Sequence, residues 1–199
     1  MLWGSKSDDD DNTDSSSNGC VRVSGADIYY YGDITCENVL EFITKFKNTE
    51  TELLKKAIDL PGYTPTITIH IKSDGGDVFA GLSAMDHVGA GKVKVHTVAE
   101  GLCASAATFM LMAGDKRMML PNSCVLIHQL SSGVWGKFED MKNEVANCEK
   151  FMAIITDIYK NNTNIPNKKL EEMMKKDIYL TSTECLRYGV IDSVYPDTA

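Results

Sequence analysis

Three short stretches of this chain carry residues suited to nucleophilic chemistry. The first is Ser73-Asp74-Gly75-Gly76, directly after the run Thr66-Ile67-Thr68-Ile69-His70-Ile71. In its plainest reading a glycine pair marks a tight turn. Without Cβ atoms it also lets a substrate approach and leaves backbone N–H groups free for a developing oxyanion. It lacks the GxGxxG and Walker patterns, which argues against a phosphate cradle. The second stretch is Gly101-Leu102-Cys103-Ala104-Ser105-Ala106-Ala107, where a strand hands over to an apolar helix through mostly small residues. Ser105 is placed either to cap that helix or to project from a crowded turn, where the Ala106 N–H and the positive helix end favour negative charge. The third is His128, closing the apolar strand Cys124-Val125-Leu126-Ile127. A histidine that ends a strand is more often structural than basic.

A serine hydroxyl is a poor nucleophile near neutral pH. It needs a histidine within hydrogen-bond reach and a carboxylate that sets the histidine tautomer. Four histidines compete for that role, His70, His87, His96 and His128, and local sequence does not choose among them.

The elements that must position these residues read as βα units, because short apolar runs alternate with helical patterns from Val21 onward. Strands are expected at Asp27–Tyr31, Thr66–Ile71, Lys92–Val98, Arg117–Leu120, Cys124–His128 and Val190–Tyr195. Helices are expected at Glu37–Lys47, Val78–Val88, Ser105–Ala113, Lys137–Asn161, Lys168–Lys175 and Thr183–Tyr188. Asn48 to Pro65 reads as a helix end followed by a loop, on the strength of Pro61-Gly62 and Pro65. In the long helix Phe138, Met141, Val145, Cys148, Met152, Ile155 and Tyr159 recur with spacings 3, 4, 3, 4, 3, 4. That stripe fits a core helix, or one that leaves the domain to meet another subunit.

A chain of 199 residues, 43% hydrophobic, can bury one substantial core. Residues 1–20 read as a disordered acidic leader or propeptide, since the first nineteen hold five aspartates against Lys6 and offer little to bury. Residues 21–199 read as the domain. A net charge of −8 argues against a nucleic-acid or anionic-membrane partner held by bulk charge. The longest apolar stretch, Leu102 to Ala113, is too short to span a bilayer. Six scattered cysteines suggest reduced, mostly buried thiols and a cytoplasmic or equivalent reducing location.

The ordered set of motifs resembles the ClpP family, the proteolytic subunits of Clp proteases. It runs from Ser73–Gly76 through Ala80-Gly81-Leu82, Gly101–Ser105, Leu120-Pro121-Asn122-Ser123 and Ile127-His128-Gln129. It continues with Lys176-Asp177, Leu180-Thr181-Ser182, Glu184 and Tyr188-Gly189-Val190-Ile191-Asp192. The resemblance implies an α/β fold of the ClpP/crotonase type, built of repeated ββα units with a long protruding handle helix. It implies Ser105 as nucleophile, His128 as general base, Asp177 as the residue orienting it, and the Gly76 and Ala106 N–H groups as the oxyanion hole. It further implies an endopeptidase that cuts unfolded polypeptides without metal or organic cofactor, inside two stacked heptameric rings of identical subunits, fed by an AAA+ unfoldase. Three departures from the family pattern stand out: Asp74 replaces a common proline, Leu102-Cys103 a glutamine-alanine pair, and Ala106 a methionine. Competing readings are a non-catalytic ring subunit, a processing peptidase acting for instance on viral capsid proteins, and an acyl-CoA enzyme of the crotonase fold.

Overall fold

A computed structural model describes residues 19–196, so the acidic leader expected over 1–20 lies almost wholly outside the described residues. Strands β1 (Val21–Ser24) and β2 (Asp27–Tyr31) form an antiparallel hairpin, with Gly25 at φ 63 in the turn. β1 had no expected counterpart, because four residues are too few to show a period. β2 pairs parallel with β3 (Thr66–Ser73), β3 with β4 (Lys94–Ala104), β4 with β5 (Lys116–Met119), and β5 with β8 (Ser193–Val194).

Helix α1 (Cys36–Asp59) is capped by the Thr35 hydroxyl, which accepts from the Asn38 N–H. It runs on to Asp59, so most of the Asn48–Pro65 stretch read as a helix end and loop is helix, and the loop is confined to its last residues. Val39, Phe42, Phe46, Thr49 and Leu53 are buried, so the 3–4 spacing continues across polar Asn48-Thr49-Glu50-Thr51 and packing overrides weak local propensity. The helix stops just before Pro61-Gly62, with Gly62 at φ 90. Helix α2 (Val78–Gly89) follows β3 and is capped by Asp77, whose carboxylate accepts from the Ala80 N–H at 2.7 Å. Helix α3 (Ala107–Met112) follows β4 and is buried throughout.

β4 is longer than expected and serves two neighbours. Its first part pairs with β5 through Ala99↔Met119, and Leu102–Ala104 pairs parallel with β6 (Cys124–Leu126). Gly101 makes the bend between them at φ 58, and its N–H donates to the Ser123 hydroxyl at 2.7 Å. β6 in turn pairs antiparallel with β7 (Tyr179–Thr181). The α/β class read from the alternation is therefore the observed one, with a mainly parallel sheet and helices packed on it. The remaining helices are α4 (Phe138–Asn162), α5 (Asn167–Met174) and α6 (Ser182–Arg187). The apolar stripe of α4 is only partly used: Ile155 and Tyr159 are buried, whereas Phe138 and Val145 are 69% and 59% exposed.

Candidate active site

Ser105 does not start a helix, as its sequence position suggested. It sits in a turn between β4 and α3 at φ 54, the one non-glycine residue with positive φ among the described residues. An L-residue held there costs about 1–2 kcal/mol, so the surroundings must impose it. They do so from both sides. The Ser105 N–H donates to the Leu126 carbonyl at 2.9 Å, and the Ser105 carbonyl accepts from the Thr108 N–H at 3.0 Å and the Thr108 hydroxyl at 2.6 Å. A strained strand–turn–helix corner of this kind holds a side chain out from the backbone, which is the geometry a nucleophile needs.

Gly75 closes against this corner. A Cβ on Gly75 would lie 2.6 Å from Ser105 Cβ, 2.9 Å from the Ala104 carbonyl oxygen and 3.3 Å from the Ala106 nitrogen, and φ is 100. Gly76 instead bridges to Ile34, where a Cβ would lie 2.3 Å from the Ile34 carbonyl. The Gly76 and Ala106 N–H groups donate to no acceptor among the described residues. Because α3 spans only six residues, electrostatic help at this corner rests on such N–H groups rather than on a long helix dipole.

His128 reaches the same corner through strand pairing. Ser105 follows the Ala104↔Leu126 pair of β4 and β6, and His128 lies two residues past Leu126. The antiparallel register Val125↔Leu180, Leu126↔Tyr179, continued two steps, sets His128 opposite Asp177. Asp177 Oδ1 lies 3.6 Å from His128 Nδ1. That is beyond hydrogen-bond distance, and the Asp177 side chain is 76% exposed, so the attraction is screened. With Nδ1 turned to the carboxylate, Nε2 is the nitrogen left to accept a proton. No hydrogen bond joins Ser105 Oγ to His128 among the described residues.

The other histidines lie elsewhere. His70 sits mid-strand on β3, buried, with Nδ1 2.7 Å from Glu100 Oε1 and its ring stacked on Tyr29 at 4.5 Å. His96 is near the start of β4, where burial and then the nearby Lys116 push its pKa down, and His87 is on α2. All six cysteines are free, but only Cys103 and Cys185 are fully buried, fewer than expected. Burial pushes the Cys103 thiol well up and that of Cys185 to about 12, so neither rivals Ser105 as a nucleophile. The described residues hold no cluster of three His, Cys, Asp or Glu able to bind a metal, and no helix long and apolar enough to cross a membrane.

Two hydroxyls at the corner drew no attention in the sequence. Thr108 lies three residues after Ser105, and Tyr159 read only as the last apolar member of a stripe. A buried tyrosine must find a partner for its hydroxyl, and that was the signal available.

Residues 47–198 match the model of the Clp protease family. The chain is also 38% identical over 134 residues to a protein of Deinococcus radiodurans described as an ATP-dependent Clp protease proteolytic subunit. That alignment spans 66% of this chain and 66% of the relative's length. A mainly parallel α/β sheet and a family match over residues 47–198 define the class. The chain belongs to the Clp protease family.

Proposed function

We propose that this chain is a serine endopeptidase of the Clp type. Ser105 Oγ attacks the scissile carbonyl while His128 Nε2 takes its proton, forming a tetrahedral intermediate whose oxyanion is held by the Gly76 and Ala106 N–H groups. His128 returns the proton to the leaving amine, and water activated by the same nitrogen then hydrolyses the acyl-enzyme. Asp177 fixes the ring so that Nε2 faces the serine. Such acyl transfer calls for no metal or organic cofactor. The observation that supports this best is Ser105 at φ 54, pinned against glycine on one side and the His128 strand on the other.

The substrates are unfolded polypeptides, and the working form is two stacked heptameric rings in the cytoplasm, supplied by an AAA+ unfoldase. Support for assembly comes from the apolar residues that α4 leaves exposed.

Exposure to a fluorophosphonate followed by intact-mass analysis should give one adduct, mapping to Ser105. Ser105→Ala should lose the adduct and all peptide turnover while keeping the parent's assembly state. Turnover by Ser105→Ala equal to the parent overturns the assignment.

A further inference from the structure

Tyr159 and Thr108 form a buried hydroxyl pair directly behind Ser105. Both residues are almost wholly inaccessible, and their oxygens are 2.6 Å apart. Thr108 Oγ1 has a single proton, and the 2.6 Å contact to the Ser105 carbonyl uses it. Tyr159 is therefore the donor to Thr108, and the order of donation runs from Tyr159 O–H to Thr108 O–H to the Ser105 carbonyl. Each hydrogen bond in such a chain polarises the next in a dry interior. The pair ties α4 to the turn through α3, and Tyr159 is one of only two α4 residues that are buried.

We propose that Thr108 and Tyr159 are positioning residues that hold Ser105 in its left-handed conformation, so that the chain links the seating of α4 to the reactivity of the nucleophile. The proposal rests on the reading of Ser105 as the nucleophile. If the hydroxyl is lost, the Ser105 carbonyl keeps only the Thr108 N–H, so the carbonyl side of the turn loosens and Ser105 can relax toward ordinary φ about its remaining anchor on the Leu126 carbonyl. Relaxation would move Oγ away from the His128 strand without altering any surface that binds substrate. Loss of the chain should therefore lower kcat and leave KM in place.

The test compares Thr108→Val, Thr108→Ser and Tyr159→Phe in the full chain, with rates expressed per fluorophosphonate-reactive site and folding followed by thermal melts. Thr108→Val should lower kcat and the fluorophosphonate labelling rate about tenfold with KM unchanged. Thr108→Ser, which restores the hydroxyl, should recover most of both rates, and Tyr159→Phe should fall about threefold to fivefold. A merely structural role would lower the melting temperature and the fraction of reactive sites but not the rate per site. Should Thr108→Val fail to fold, Tyr159→Phe, which removes one atom, carries the test. Per-site rates equal to the parent in a folded variant overturn the proposal. Ser105→Ala separates the two ideas: if it is inactive while the Thr108 and Tyr159 variants match the parent, the positioning role fails and the nucleophile stands. If it stays active, both fail.

Discussion

At the scale of single residues, the corner at Ser105 depends on what is missing beside it. Gly75 combines φ 100 with contacts that leave no room for a methyl group. Gly75→Ala must displace Ser105 or the Ala106 N–H, both of which the proposed chemistry uses. The expected result is a loss of turnover of at least about a hundredfold, comparable to removing an oxyanion donor, with the fold retained. Steady-state peptide hydrolysis beside a thermal melt checks it, and an active Gly75→Ala would mean that the corner has slack the contacts do not suggest. His70 makes the opposite point. Its ring is already engaged by Glu100 and Tyr29. His70→Asn should therefore act on stability, while chemistry at Ser105 persists.

At the scale of elements, two polar clips set the strands. Ser123 holds the bend of β4 by accepting from the Gly101 N–H, and it is buried. Ser123→Ala leaves that N–H without an acceptor and should cost about 1–3 kcal/mol in urea unfolding. The second clip joins β5 to the segment before β8. The Asp192 N–H donates to the Arg117 carbonyl and the Arg117 N–H to the Asp192 carboxylate, each at 2.7 Å, and the Arg117 guanidinium lies 3.0 Å from that carboxylate. Partial burial pushes the Asp192 carboxyl up, but the hydrogen bonds and charge of Arg117 outweigh it and hold it below the usual range. A carboxyl lowered in the folded state adds stability above its unfolded value, near 4, and loses it as pH falls through the folded value. Asp192→Asn should thus destabilise at neutral pH by at most about 1 kcal/mol, since the pair is partly exposed. The gap should close below about pH 4, and urea melts at pH 7 and pH 3 would show whether it does.

At the scale of the whole molecule, α4 is where one chain looks incomplete. Phe138, Met141 and Val145 lie along one face and are exposed, and Trp135 just ahead of the helix is 99% exposed. Met152 lower on the same stripe packs against the domain and its sulfur accepts from the Leu130 N–H, so a charge there would damage the fold as well as any interface. Val145→Glu is the cleaner probe, because in a single chain the new carboxylate stays in water. Buried against another subunit it would be desolvated without a partner, at a cost of several kcal/mol repeated at each copy. Sedimentation velocity should show smaller species with an unchanged melting transition, and peptide hydrolysis should fall with assembly. A variant as large and as active as the parent would make α4 an ordinary surface helix.

Much of this was present in the chain read as a string. The order of the motifs carried the family, and the alternation of apolar runs with helical periods carried the α/β class. Those signals are local: glycine pairs, small-residue runs and 3–4 spacings show without any neighbour. The course of α1 through Asn48–Thr51 was not legible, since only contact with the sheet makes polar and β-branched residues worth holding in a helix. Nor could spacing alone choose among four histidines. What favours the proposed His128 is β4 pairing with β6 and β6 with β7, contacts that span twenty to more than fifty residues and bring His128 and Asp177 to the end where Ser105 turns. The positive φ of Ser105 and the Thr108–Tyr159 contact behind it are likewise products of closure. The strain exists only once the turn closes against Leu126 and Gly75, and the buried hydroxyl pair only once α3 and α4 are pressed together, and no periodicity in the sequence encodes either.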